Sequence, residues 1–164
     1  MSKIVILDAH LGAPKIIDDL LQRIAVQDPT LSEWIRQLDP VPIIRECVEN
    51  ALNRLDGTSG IRKGASVMDY YGKAYAGRLD GVLKTDKLPN GLGIKITGRG
   101  VVEFVADKYE SDWREEIERL RGLFTDSLLA EITSSILQVL GYEVEIRSTT
   151  TREGIAYSLD GVKQ

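Results

Sequence analysis

Residues 91–159 carry the pattern that most narrows the folds open to this chain: strand, glycine turn, strand, a long helical block, then two more strands. Ile94-Lys95-Ile96-Thr97 alternates apolar and polar residues, as a strand with one wet face does. It leads through Gly98-Arg99-Gly100 into Val101-Val102-Glu103-Phe104-Val105-Ala106-Asp107, which is mostly apolar and rich in β-formers, as a strand buried on both faces requires. In the helical block, Asp112 with Glu115 three residues on marks a start. Trp113, Ile117, Leu120 and Phe124 make one inner stripe; Leu128, Leu129, Ile132, Ile136, Leu137 and Leu140 make the next. Gly141 closes the block where a left-handed cap belongs. Tyr142-Glu143-Val144-Glu145-Ile146 alternates again, and residues 155–159 form a last short strand. The pattern predicts an α+β fold, an antiparallel sheet of about five strands with a C-terminal helical pair on one face.

The N-terminal third reads differently. Ile4-Val5-Ile6-Leu7 is a short buried strand by composition. Ile16, Ile17, Leu20, Leu21 and Ile24 then fall at helical spacing, residues 31–38 suggest a short helix, and Ile43, Ile44, Cys47, Val48, Ala51, Leu52 and Leu55 line a longer one opened by Asp39-Pro40. The division expected is residues 1–55 as strand plus helices (an arm or a second layer), 56–64 as a glycine-rich linker, and 65–164 as the sheet-and-helix unit.

Composition excludes several classes. No apolar run approaches the roughly 20 residues of a membrane-spanning helix, and the first residues hold too short an apolar segment for a secretory signal. The single cysteine, Cys47, permits no internal disulfide and fits a reducing setting, cytoplasmic or in an organelle stroma. Charge is unevenly spread. Residues 60–100 carry eight Lys and Arg against three Asp, a net of +5 inside a chain of −4, so the flanks hold −9. A basic middle between acidic flanks suits an anionic partner or a self-complementary contact.

No catalytic constellation is complete. Asp8 and His10 follow the first strand at a metal-ligand spacing, which leaves a metal-dependent enzyme as one alternative, but His10 is the only histidine. Capping of the next turn is the plainer role for Asp8, and no metal or other cofactor is expected. Cys47, on the apolar face of its helix, reads as a small buried hydrophobe. Gly98 and Gly100 join two strands rather than a strand and a helix, so they form a hairpin turn and not a phosphate loop. The acid pairs Glu115–Glu116, Glu143–Glu145 and Asp107–Glu110 read as solvated surface.

What remains is Tyr70, Tyr71 and Tyr75 interleaved with Lys73 and Arg78, followed by Lys84 and Lys87. These seven residues are the predicted binding surface. Two macromolecular readings follow. One is a non-enzymatic accessory or adaptor protein that docks another protein or a second copy of itself. The other is a nucleic-acid-binding module that stacks bases on the tyrosines and holds phosphates with the cations, against which the sequence pI of 5.1 weighs.

Tyr75-Ala76-Gly77, Asp80-Gly81-Val82, Gly91-Leu92-Gly93-Ile94-Lys95-Ile96 and Val102-Glu103-Phe104-Val105-Ala106-Asp107, continued by a helical segment to Leu140-Gly141-Tyr142, resemble the uncharacterised Ycf-thirty-five-like family of plastid and bacterial genomes. The resemblance covers roughly residues 70–160. It implies a small soluble α+β protein working beside other proteins, and it carries over no functional residue.

Overall fold

A computed structural model describes residues 4–8, 40–98, 101–151 and 154–163. The helices expected near residues 16–24 and 31–38 lie outside them, as does His10. The described chain has an α+β fold: β1 (Ile4–Asp8), α1 (Pro40–Leu55), β2 (Arg62–Lys63), β3 (Gly81–Lys84), β4 (Leu92–Ile96), β5 (Val102–Asp107), α2 (Ser111–Val139), β6 (Tyr142–Thr151) and β7 (Gly154–Lys163). Five strands join into one antiparallel sheet ordered β1-β5-β4-β3-β2, while β6 and β7 pair with each other as a separate hairpin. The final strands, read from the sequence beside those of the main sheet, instead pair with each other and pack against the helix that precedes them.

The register sorts the sheet into two faces. Leu83 lies opposite Leu92, and Ile94 opposite both Gly81 and Phe104, so these side chains share one face, which both helices cover. Val82, Gly93 and Val105 form the row on the other face. The connection between β2 and β3 folds over that row. A Cβ on Gly93 would sit 2.9 Å from Leu79 and 3.0 Å from Val67, so only glycine lets the connection close down here. β5 is therefore buried on both faces, as its composition predicts: Val102, Phe104, Val105, Ala106 and Asp107 are all buried.

Ser111–Val139 runs as one continuous helix of 29 residues. The two inner stripes expected to belong to a helical pair are successive turns of this helix. Thr125-Asp126-Ser127 between them contains no breaker, and Ile117, Leu120, Phe124, Leu128, Ile132 and Ile136, spaced three or four apart, are all buried. Phe124 meets Phe104 edge-on at 5.8 Å between centroids. α1 packs against α2 through Ile44, Cys47, Val48, Ala51, Leu52 and Leu55. Polar ties cross the same seam: Arg54 donates to Glu131 Oε1 from Nη2 at 2.8 Å and from Nε at 3.0 Å, and Cys47 Sγ lies 3.3 Å from Ser135 Oγ. The glycine-rich stretch after α1 makes a tight turn in which Gly57 N–H donates to the Ile61 carbonyl at 2.8 Å, and Ile61 is buried. No described helix is long and apolar enough to cross a membrane.

Candidate functional site: an aromatic surface beside an acidic cleft

The site begins with a buried carboxylate. Asp107 ends β5 on the face that the β2–β3 connection covers, and it is 1% exposed. Its Oδ2 accepts the Tyr70 N–H at 2.8 Å and its Oδ1 accepts the Tyr109 N–H at 2.9 Å. One side chain thus ties a loop 37 residues upstream to the segment that enters α2. Such charge-assisted bonds are the strong class, and a buried carboxylate without them costs several kcal/mol. Asp69 organises the loop itself: Oδ1 accepts the N–H groups of Tyr71 at 2.9 Å and Lys73 at 2.8 Å, and Asn90 Nδ2 donates to the Asp69 carbonyl at 2.8 Å.

The result is a cluster of aromatic rings held at the surface. Tyr70, Tyr71 and Tyr109 are 46%, 72% and 41% exposed, which places them among the most open large apolar side chains of the described chain. The Tyr70 ring lies 5.3 Å from Tyr71, 4.4 Å from Tyr109 and 6.1 Å from Trp113. Trp113 belongs at the same time to a cleft of 570 Å³ at the start of α2, lined by Lys87, Glu110, Asp112, Trp113, Glu115, Glu116 and Arg119.

Glu116 is not part of a solvated acid pair as the sequence suggests. It is 4% exposed. Its Oε2 accepts from Thr85 Oγ1 at 3.0 Å, its Oε1 accepts from Arg119 Nε, and Thr85 Oγ1 in turn accepts the Leu88 N–H at 3.1 Å. Burial pushes the Glu116 carboxyl up. The bonds from Arg119 and Thr85, with the charges of Arg119 and Lys87, outweigh it and hold the group below the usual carboxylate range. Glu116 therefore fixes the cleft floor to the end of β3, and Glu115 beside it is exposed. Asp107, likewise expected at the surface, is the buried anchor described above.

Of the seven predicted surface residues, Tyr70 and Tyr71 come together in the aromatic cluster, with Lys73 exposed on the same loop, and Lys87 reaches the adjoining cleft. Arg78 is exposed. Tyr75 and Lys84 are half-buried: the Tyr75 ring packs over Gly77, and the Lys84 stem runs over Gly64, where a Cβ would lie 2.7 Å from Lys84 Cε. Tyr109, Trp113 and the cleft carboxylates lie outside that set; Trp113 packs half-buried against the core, as its place in the inner stripe predicts, and lines the cleft as well.

The remaining candidates carry no comparable geometry. Asp8 ends β1 opposite Glu103, and among the described residues no group of three or more His, Cys, Asp or Glu is placed to hold a metal ion. Cys47 is fully buried, and burial pushes its thiol up to about 11, against thiolate chemistry. Comparison with protein-family models, curated proteins and solved structures finds no match for the chain.

Proposed function

We propose that this chain is a non-enzymatic accessory protein that docks another protein, a second copy of itself included, through the surface built on Tyr70, Tyr71, Tyr109 and Trp113. The observation that carries the reading is the exposure of contacting aromatic rings on a loop fixed by buried Asp107. Tyrosine and tryptophan supply large contact area at low entropic cost, and rings already held in place lose little more on binding. The carboxylates of Asp69, Glu110, Asp112 and Glu115 around them favour a protein partner over a phosphate backbone.

The test is affinity capture from the source cells with the tagged full chain and with a Tyr70→Ala/Tyr71→Ala variant. A discrete protein held by the parent chain and lost by the variant is expected, with unchanged thermal unfolding. Equal capture by both would remove this surface from the reading. Nucleic acid retained at low salt and shed steeply as salt rises would replace it with the nucleic-acid reading.

A further inference from the structure

We infer that β6 is a self-association edge: two copies of the chain pair their β6 strands antiparallel about Ile146 and join the two hairpins into one four-stranded sheet. This contact is separate from the tyrosine surface proposed above. β6 is ten residues long and runs against β7 in unbroken register, from Tyr142 opposite Lys163 to Thr151 opposite Gly154. Among the described residues its other edge meets no strand. Natural sheets blunt such an edge by shortness, a bulge, a proline, a lysine or an inward-pointing charge. β6 contains no proline, lysine or bulge, and half-buried Val144 and Ile146 occupy the side turned toward α2.

Charge selects both the occupant and the register. Glu145 and Arg147 flank Ile146 on the exposed face, where Arg147 Nη2 lies 3.2 Å from Glu145 Oε2 of its own strand. A two-fold axis perpendicular to a sheet keeps faces in place, so exposed residues oppose exposed residues. Centred on Ile146, the pairing sets Glu145 of each copy opposite Arg147 of the other and Glu143 opposite neutral Thr149. Centred one residue earlier or later, it opposes Glu145 to Glu145 or Arg147 to Arg147. Centred on Val144, it opposes Glu143 to Glu145. Opposite charges across a strand pair stabilise it and like charges directly opposite destabilise it, so the register about Ile146 is favoured over these three. The exposed face of β7, with Ala156, Ser158, Asp160 and Val162, carries one charge and selects no such match. The same axis leaves the α2-facing sides of both hairpins on one side of the joined sheet, where Ile146 meets Ile146. One strand pair with two exposed ion pairs is a small contact, so association is weak and shows as mass rising with protein concentration.

Sedimentation equilibrium of the full chain, from low-micromolar to near-millimolar concentration, reads this directly. Glu145→Arg and Arg147→Glu each place like charges opposite one another across the axis and are expected to weaken self-association about tenfold. An equal mixture of the two variants restores it, because every Arg then faces a Glu. Glu145→Arg/Arg147→Glu in one chain restores it for the same reason. A loss of folding in either single variant could not produce that recovery. Tyr70→Ala/Tyr71→Ala should associate as the parent chain does. A monomeric mass at every concentration overturns the inference, as do single variants that associate like the parent or a mixture that fails to recover. Association lost in Tyr70→Ala/Tyr71→Ala but kept in both charge variants also overturns it, and assigns the second copy to the tyrosine surface.

Discussion

Glu116 stands between Thr85, just past the end of β3, and Arg119, three residues along its own helix. Its carboxyl is held below its ordinary range when folded, so it contributes stability above the unfolded carboxylate pKa and loses it as pH falls through the folded value. Glu116→Gln keeps the shape and removes the charge. It is expected to cost about 1–2 kcal/mol at neutral pH, the lower range for a charged hydrogen bond because the Arg119 side chain is 43% exposed and partly screened. Urea unfolding of both proteins checks this: the gap should narrow toward acid, and an equal gap at pH 7 and pH 3 would contradict the assignment. This is also the scale at which the sequence is least legible. Glu115 and Glu116 are adjacent and chemically alike, yet one is exposed and the other buried. The difference comes from Thr85, 31 residues away, and no local pattern encodes that. Asp107 and Tyr70 repeat the case over 37 residues.

Elements were far more legible than contacts. The alternation before residue 98 and the apolar run after it became β4 and β5, and the Gly141 signal became a cap: φ is +93° there, and Leu140 and Gly141 N–H groups return to the Ile136 and Gln138 carbonyls. The helix count was harder to read, because a stripe that drifts around a long helix resembles two stripes. The continuity of α2 makes a paired prediction. Gly122 is exposed within it, and a Cβ there meets nothing within 4 Å, so Gly122→Ala should stabilise by about 0.5–1 kcal/mol. Gly141→Ala also meets open space but must hold a left-handed backbone, so it should destabilise by about 1–2 kcal/mol. Thermal unfolding followed by circular dichroism reads both. Shifts of the same sign would deny either the unbroken helix or the cap.

Across the whole molecule, α2 is the element on which the rest is assembled. It packs against α1 and backs both strands of the hairpin, and its buried side chains share one cluster with the helix-facing side of the sheet. The hairpin is the thinner attachment. Glu143, Glu145, Arg147, Ala156, Ser158 and Asp160 are exposed on one face, while Val144, Ile146, Ile155, Tyr157 and Leu159 on the other are only half-buried. Backbone amides of β6 and β7 should therefore exchange with solvent through local opening, at lower free energy than those of β4, β5 and the middle of α2. Hydrogen exchange resolved by residue gives the answer, and equal protection throughout would mean that the hairpin unfolds only with the whole. The length of α2 has one more consequence. At about 1.5 Å per residue it is a rod of roughly 43 Å, rooted at one end in the cleft beside Trp113 and at the other in Gly141. Two bodies attached at those ends would be kept apart by a distance written in residue number, and one added helical turn would lengthen that spacing by about 5.4 Å.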